Sequence, residues 1–508
     1  MKFGIKSGFY ALAGALLVFI SGCTTLGPDY VAPEVDTELQ WLQSQDPVLS
    51  SQEPANPEWW SSAFKDPVLN ELIDISLNDN LSLRSAGLRV LQARENLRIA
   101  VGQRYPTQTL DGAIGRDGLA ENGLAPGQDQ YFNSDELGFN LQWEADVWGR
   151  FRRLAQSASA DLDASVASYD GILLSLLSQV SNTYLTLRSV EERITFLEEN
   201  VRLEQESLDI AIAKFEGGLV TELDPDQARS LLYNSKAELS ALQITRGQLR
   251  NTLALLLGRK PGEVNEILGG SGKVPLGEAD VALGMPQDLI RRRPDIRQAE
   301  RQLASQSALI GFAIADLYPS FSLGGSVRFA SNDADDNDLD DIFNSDSRSW
   351  DFNGGFNWNI WNYGRVKGNI RLQDAVFQQL AIDYENTVLN AQTEIENAII
   401  GYLISREQLD WYQQAADAAQ NSVNVAQIQY NEGLTDFNTL VTVLEALQEQ
   451  QDLLAATKGT VATNLVEVYR ALGGGWEIRS SRRAEDLIPE ATKEEMRQRI
   501  KYWDGELE

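Results

Sequence analysis

Histidine is absent from this 508-residue chain, cysteine occurs once, and basic residues are scarce: 43 lysines and arginines face 74 acidic residues, a formal net charge of −31. Each shortage removes a class of function. Without histidine there is no Ser-His-Asp or Cys-His catalysis, no His-ligated zinc and no ordinary near-neutral proton shuttle. An enzyme here would have to work with carboxylates, lysine, tyrosine or serine, and the abundant carboxylates fall in no recognisable pocket motif. The expectation is therefore no enzyme, no cofactor and no resident metal. A single cysteine excludes a disulfide within the chain. The acidic excess argues against nucleic acid, because phosphate recognition rests on Lys and Arg. Length alone suggests about three domains at ~150 residues each, a prior that internal repeats overturn.

Long hydrophobic runs are missing too. The run from Phe9 to Ile20, preceded by Lys2 and Lys6, is shorter than the ~20 residues a membrane-spanning helix needs and suits an export signal over residues 1–22. It ends Ile20-Ser21-Gly22-Cys23, which resembles the bacterial lipobox. The rival reading is an ordinary signal with a stray cysteine, yet the only Cys falls at the one position a lipobox requires. The resemblance implies a mature chain starting at Cys23 with acyl chains attached, each buried methylene adding ~0.8 kcal/mol of membrane affinity. Thr24 stands where lipoproteins retained in the inner membrane usually carry Asp, which implies the outer membrane. Residues 23–66 read as a lipidated tether, kept extended over 24–57 by Pro28, Pro33, Pro54 and Pro57.

What the chain does have is one pattern written twice. Leu83, Ala86, Ala100, Tyr105-Pro106, Leu110 and Gly112 recur as Ile296, Ala299, Ala313, Tyr318-Pro319, Leu323 and Gly325, at an offset of 213. Trp143, Gly149-Arg150, Phe215, Gly218-Leu219 and Leu257-Gly258 recur as Trp358, Gly364-Arg365, Tyr430, Gly433-Leu434 and Leu472-Gly473, at 215. The slip belongs in the polar loop before Trp350. Two equivalent halves, 67–258 and 284–473, are thus joined by a Gly-, Pro- and Val-rich linker, 259–283. A charged tail, 474–508, follows, with a short helix near Ala491 to Tyr502.

Each half predicts the same elements. A helical segment (Asp66 to Arg104; Met285 to Leu317) ends at Tyr-Pro, since proline pushes the preceding residue out of the helical region. Strands follow at about 106–116 and 135–146, and at about 319–330 and 349–361. Leu137, Phe139, Leu141, Trp143 and Ala145 alternate with Gly138, Asn140, Gln142 and Glu144; Phe321, Leu323, Val327 and Phe329 alternate with Ser322, Gly324, Ser326 and Arg328; Phe352, Phe356, Trp358 and Ile360 alternate with Asn353, Gly355, Asn357 and Asn359. One aromatic-rich face and one polar face suit a strand between lipid and a watery lumen. A soluble sandwich alternates likewise, but the rest of the chain offers little except helix to cover such sheets. Four strands cannot close a barrel, whose minimum is about eight, so closure needs at least two chains, and three would supply twelve strands. Trp143, Trp148, Trp358 and Trp361 are the expected membrane-interface aromatics.

Proline-free helices follow, 148–215 and 363–430, each ~100 Å long at 1.5 Å per residue. Val166, Tyr169, Leu173, Leu176, Val180, Leu187, Val190, Ile194, Leu197 and Val201 keep a near-heptad spacing. A soluble coiled coil would explain these helices but not the aromatic strands. The helices stop at Phe215-Glu-Gly-Gly-Leu219 and Tyr430-Asn-Glu-Gly-Leu434, glycines suited to a reversal, and antiparallel helices return to Gly258 and Gly473.

The lipobox, the repeat, the tether Gly27-Pro28-Asp29-Tyr30 and the motif Asp146-Val-Trp-Gly-Arg150 together resemble the TolC family, in its OprM-like (NodT) lipoprotein branch. The resemblance covers essentially all of the mature chain. It implies a mainly α protein with membrane β: a homotrimer whose twelve-stranded barrel, four strands per chain, continues into a long periplasmic α-helical barrel. It further implies an outer-membrane exit duct for small molecules, working with a periplasmic adaptor and an inner-membrane pump, of RND type. Gly218, Leu219, Gly433 and Leu434 would belong to the adaptor-docking tip, a role compatible with simply turning the chain. Asp224, Asp226 and Asp436 are the candidates for an acidic resting gate. For Asp224 the rival is helix N-cap, with Pro225 at the first helical position. Relatives often show Leu-Leu-Asp-Ala-Gln after the second reversal where this chain has Leu440-Val441-Thr442, which leaves the second gate position open. Arg229 and Glu222 are available for ties that sequence cannot pair. Asp333, Asp335, Asp336, Asp338, Asp340 and Asp341 suit either a solvated outer loop or a weak divalent-cation site. The alternatives are the outer-membrane component of a type I protein-secretion system and a structural periplasmic coiled-coil lipoprotein.

Overall fold

The computed structural model describes residues 25–33, 41–42, 49–50, 57–123, 129–270, 272–277, 281–282, 292–333, 339–479 and 485–507. The export signal, Cys23, Asp335, Asp336, Asp338 and residues 285–291 of the second helical segment lie outside them. Strand β1 (Leu49–Ser50) precedes helices α1 (Trp59–Phe64), α2 (Pro67–Asp79) and α3 (Leu81–Gly102). Strands β2 (Thr107–Gly118) and β3 (Tyr131–Ala145), the 67-residue helix α4 (Arg150–Glu216) and the return helix α5 (Leu223–Leu256) complete the first half. After α6 (Val264–Leu268) and β4 (Val281–Ala282), the order repeats as α7 (Pro294–Ala315), β5 (Ser320–Asn332), β6 (Arg348–Asn357), α8 (Arg365–Asn431) and α9 (Phe437–Ala471). Helix α10 (Glu490–Arg499) lies in the tail. The fold is mainly helical with few strands. No helix among the described residues is long and apolar enough to cross a membrane.

One compact unit comprises residues 1–33, 92–164 and 299–383. Its centre is a four-stranded antiparallel sheet in the order β2-β3-β5-β6. The register aligns Leu110, Phe139, Val327 and Trp350 in one row across all four strands, and Thr109, Asn140, Ser326 and Asp351 in the next. Because side chains alternate faces along a strand, the apolar and polar alternations of β3, β5 and β6 coincide in space, while β2, weakly patterned between Leu110 and Ile114, adds Leu110 to the apolar row. The polar face is cross-linked: Asn140 donates to Asp111, Ser326 to Asp351, and Arg328 pairs with Glu136 at 2.7 Å. Neither outer strand has a second partner among the described residues.

The same unit explains two sequence motifs. Asp146 accepts the Phe151 and Arg152 amides, each at 3.0 Å, and so caps α4. Arg153, its side chain buried, donates to the carbonyls of Leu26 (2.8 Å) and Gly27 (3.0 Å) and to Asp29 Oδ1 (3.1 Å). Gly27 sits at φ +87°, where a Cβ would lie 2.4 Å from the Gly311 Cα, so only glycine fits.

The other unit comprises 34–91, 165–298 and 384–508. The seam residues of α4 from Tyr169 to Leu197 are buried as their spacing predicts, with Val166 and Val201 half-buried. Arg188 donates to the carbonyls of Leu268 (2.9 Å) and Gly270 (3.0 Å) and pairs with Glu191 at 2.7 Å, pinning the linker to α4. The residues near 41–50 are not simply extended tether: Trp41 is buried and β1 pairs in parallel with β4.

Four boundaries differ from expectation, the first being the start of β3 at Tyr131 rather than near 135. The helical segment from Asp66 breaks at Asn80, whose side chain accepts the Leu83 amide (2.9 Å) and donates to the Leu256 carbonyl (2.8 Å). Strand β6 ends at Asn357 rather than near 361, because Trp358 anchors its indole on the Leu317 carbonyl (2.9 Å) and Ile360 turns back onto the Trp358 carbonyl (2.9 Å). The tail helix stops at Arg499, short of Tyr502.

Candidate functional site

The two helix reversals are built alike. Leu219 N–H donates to the Lys214 carbonyl (2.9 Å), and Leu434 N–H to the Gln429 carbonyl (2.8 Å). Gly218 and Gly433 occupy the left-handed region at φ +69° and +73°. This is the glycine-terminated helix end in which orphan carbonyls are satisfied by residues past the cap. Such ends usually tuck the following apolar residue against the helix, yet Leu219 and Leu434 are 76% and 77% exposed.

The three acidic gate candidates have three different environments. Asp224 is not the cap of α5: Glu222 holds that position without a side-chain bond, and Asp224 and Pro225 lie inside the first turn. Asp224 Oδ2 instead accepts the Tyr430 hydroxyl at 3.3 Å, tying α5 to α8. The capping role expected for Asp224 falls to Asp436, which accepts from the Thr439 amide (2.8 Å) and hydroxyl (2.7 Å). Those bonds, the hydroxyl's foremost, hold the Asp436 carboxyl below its ordinary range. Asp226 pairs with Arg229 at 2.7 Å on the helix surface, so Arg229 ties to Asp226 rather than to Glu222.

Sequence reasoning missed Tyr430 as a site residue. It is buried, with Phe437 packed on it at 5.2 Å, and Lys214 donates to its carbonyl and stands 4.1 Å above its ring. Burial foremost, then the Asp224 charge, raises its hydroxyl pKa. The available signal was the repeat itself, since Phe215 in the first half becomes Tyr430 in the second, adding a hydroxyl at an equivalent site.

A second missed group lies farther up the hairpins. Gln448 Nε2 donates to Glu238 (2.7 Å), which fixes its amide so that Oε1 faces the Ser235 hydroxyl at 3.0 Å. Ser235 Oγ also lies 2.8 Å from Glu204 Oε1, and one hydroxyl proton cannot serve both acceptors. The conflict resolves when Glu204, which is buried, carries a proton itself. Burial, opposed by the Ser235 hydrogen bond and reinforced by Glu238 and Glu445, pushes its carboxyl up to about 7. A raised carboxyl pKa contributes stability that is complete below the unfolded value and lost as pH rises through the folded one. Glu204→Gln is therefore expected to match the wild type near pH 4 and exceed it by about 1–3 kcal/mol near pH 8. Thermal unfolding of the two proteins across that range checks this; parallel pH profiles would refute it.

At the end of the sheet where the strands meet α4 and α8, the Trp143 indole donates to the Arg104 carbonyl (3.0 Å), just as Trp358 does to that of Leu317. Trp148 donates to the Pro319 carbonyl (2.8 Å) and packs on Tyr318 at 4.9 Å. Trp361 is almost fully exposed. The structure thus places all four expected interface aromatics at one end of the sheet. Among the described residues no acidic group is arranged to hold a metal ion.

A sheet with one apolar and one polar face, in a chain that also forms long helical hairpins, is the pattern an outer-membrane channel protein would show. The chain belongs to the outer membrane efflux protein family, which it matches over residues 72–259 and 285–474, one segment per repeat. It is 30% identical over 484 residues to the toluene efflux pump outer membrane protein TtgI of Pseudomonas putida, spanning 92% of this chain and 99% of that one. Among solved structures, the outer-membrane channel OprN matches with TM-score 0.81 at 30% identity, covering 89% of this chain and all of OprN's. The Campylobacter jejuni CmeC outer membrane channel matches with TM-score 0.83 at 25% identity, covering 92% of this chain and all of CmeC's. The protein is accordingly an outer-membrane channel component of an efflux system.

Proposed function

We propose that the protein acts as a homotrimer, a passive exit duct that catalyses nothing and takes its energy from an inner-membrane pump. The observation that carries this is the pair of open edges, β2 and β6, which have no second partner among the described residues in a sheet with a lipid-suited face. Open edges do not persist in lipid, and three copies supply a closed twelve-stranded barrel with the Asp351 face lining the lumen. Apolar residues left exposed on single helices support the same assembly. Tyr233, Ile244 and Leu255 recur every eleven residues on α5, and Leu389, Ile400 and Trp411 do so on α8, a period that suits helices packed along a shared seam.

The glycine turns present Leu219 and Leu434 as paired apolar knobs for a periplasmic adaptor, and the pump is of the proton-driven RND type. TtgI is a toluene efflux component, which favours small apolar or amphipathic substrates over a secreted protein. Asp224 with Tyr430 forms the resting latch, while Asp436 and Asp226 serve their helices first. Cys23 carries the lipid anchor; labelled palmitate that is lost in Cys23→Ser tests that part. The full reading is tested by reconstitution in planar bilayers, where heat-modifiable trimers are expected to conduct. Trimers that never conduct, even with the tip acids replaced, would overturn it.

A further inference from the structure

In so acidic a chain the basic residues at the sheet's end stand out. The first turns of α4 and α8 hold Arg150, Arg152 and Arg153, and Arg365 and Lys367, with no acid in either. A helix N-terminus favours negative charge, so these cations sit against the local preference. Arg153 holds the tether, Arg150 pairs with Glu144 and Asp316, and Arg152 with Asp146. Arg104 and Lys367, in contrast, have no carboxylate partner among the described residues.

Both open onto cavities at equivalent places in the two repeats. One, of about 400 Å³, is lined by Arg104, Tyr105, Trp143, Ala145, Val147, Arg152 and Asp146, the last of these carrying a carboxylate already engaged by Arg152 and the first amides of α4. The other, of about 470 Å³, is lined by Leu317, Trp358, Trp361, Tyr363 and Lys367. The register places Trp143 on the apolar face with Leu323, so the first cavity continues the surface suited to lipid. Each joins an aromatic wall, an indole fixed by a backbone carbonyl and a cationic tip. That combination fits a lipid at the depth where acyl chain gives way to phosphate.

We propose that these paired cavities are binding sites for an anionic phospholipid of the leaflet bordering the periplasm, its phosphate on Arg104 in one repeat and on Lys367 in the other. The proposal rests on the membrane orientation of the sheet. Full-length protein in nanodiscs of mixed phosphatidylglycerol and phosphatidylethanolamine, released into native mass spectrometry, tests it. The wild type is expected to retain phosphatidylglycerol in preference to phosphatidylethanolamine, with excess inorganic phosphate unable to displace it. Arg104→Gln and Lys367→Gln should each weaken retention about fivefold at the altered site, as expected for one cation near an anionic lipid surface. Equal retention by the wild type and the double variant, displacement by inorganic phosphate, or conducting trimers without bound lipid because a neighbouring copy fills the cavities, would each overturn it. A chain that neither inserts nor conducts would remove the membrane reading and this proposal with it.

Discussion

Asp224→Asn combined with Tyr430→Phe is expected to raise the time-averaged single-channel conductance severalfold. The 3.3 Å hydroxyl–carboxylate bond joins α5 to α8 at the tip, and α4 is drawn to the same point by Lys214 on the Tyr430 carbonyl and ring. A hydrogen bond of this length contributes about 0.5–1.5 kcal/mol, so losing it shifts a closed-to-open equilibrium roughly two- to tenfold per chain. Phenylalanine keeps the ring packed against Phe437, which separates the loss of the latch from loss of the core. Planar-bilayer recordings measure the effect. Heat-modifiable trimers of the double variant with wild-type conductance would refute the latch. Asp436→Asn should instead weaken the α9 cap with little effect on gating, because its carboxylate is committed to Thr439.

The largest loss of stability is expected from Asp170→Ala. Its fully buried carboxylate on α4 binds Arg297 of α7 at 3.2 Å and Arg479 of the tail at 2.9 Å. Arg297 also stacks 4.5 Å from the Trp476 ring, whose indole donates to the Arg292 carbonyl at 2.9 Å. Alanine would leave two guanidinium groups facing each other without a counter-ion, a change that costs about 3–5 kcal/mol when the pair is buried. The expected readouts are a lower unfolding temperature and cleavage of the residues after Gly475 at protease levels the wild type resists. A variant that matches the wild type in both would show that the two arginines find other partners.

The repeat accounts for how much of the fold could be read in advance. A fixed offset, alternation of period two and heptad spacing are local signals, and strands, long helices and reversals follow from them within a few residues. Element ends were less legible where a tertiary bond decides them. Trp358 leaves the strand for the Leu317 carbonyl, and Asn80 breaks a helix to reach the Leu256 carbonyl. The tip acids were legible as candidates but not by role. Thr221 occupies in the first half the place that Asp436 occupies in the second, and the N-cap of α5 falls instead on Glu222 without a side-chain bond, so the side-chain cap of one repeat is missing from the other while the turn stays the same. Glu204 was invisible, because its protonation depends on a fixed amide and a serine from two other helices.

The sequence by itself determined the duplicated architecture, the two-faced strands and the absence of histidine chemistry, since these reside in spacing and composition along a single chain. Only the tertiary structure decided which carboxylate meets Tyr430, which caps α9 and which lies buried against a serine hydroxyl, and which cations at the sheet's end are left without a carboxylate. The physical reason is that hydrogen bonding and burial depend on which atoms meet in space, as when Asp224 meets Tyr430 across 206 positions and Ser235 meets Gln448 across 213. The acidic excess is thus resolved into individual groups with separate partners: Asp224 with Tyr430, Asp226 with Arg229, and Asp436 with Thr439.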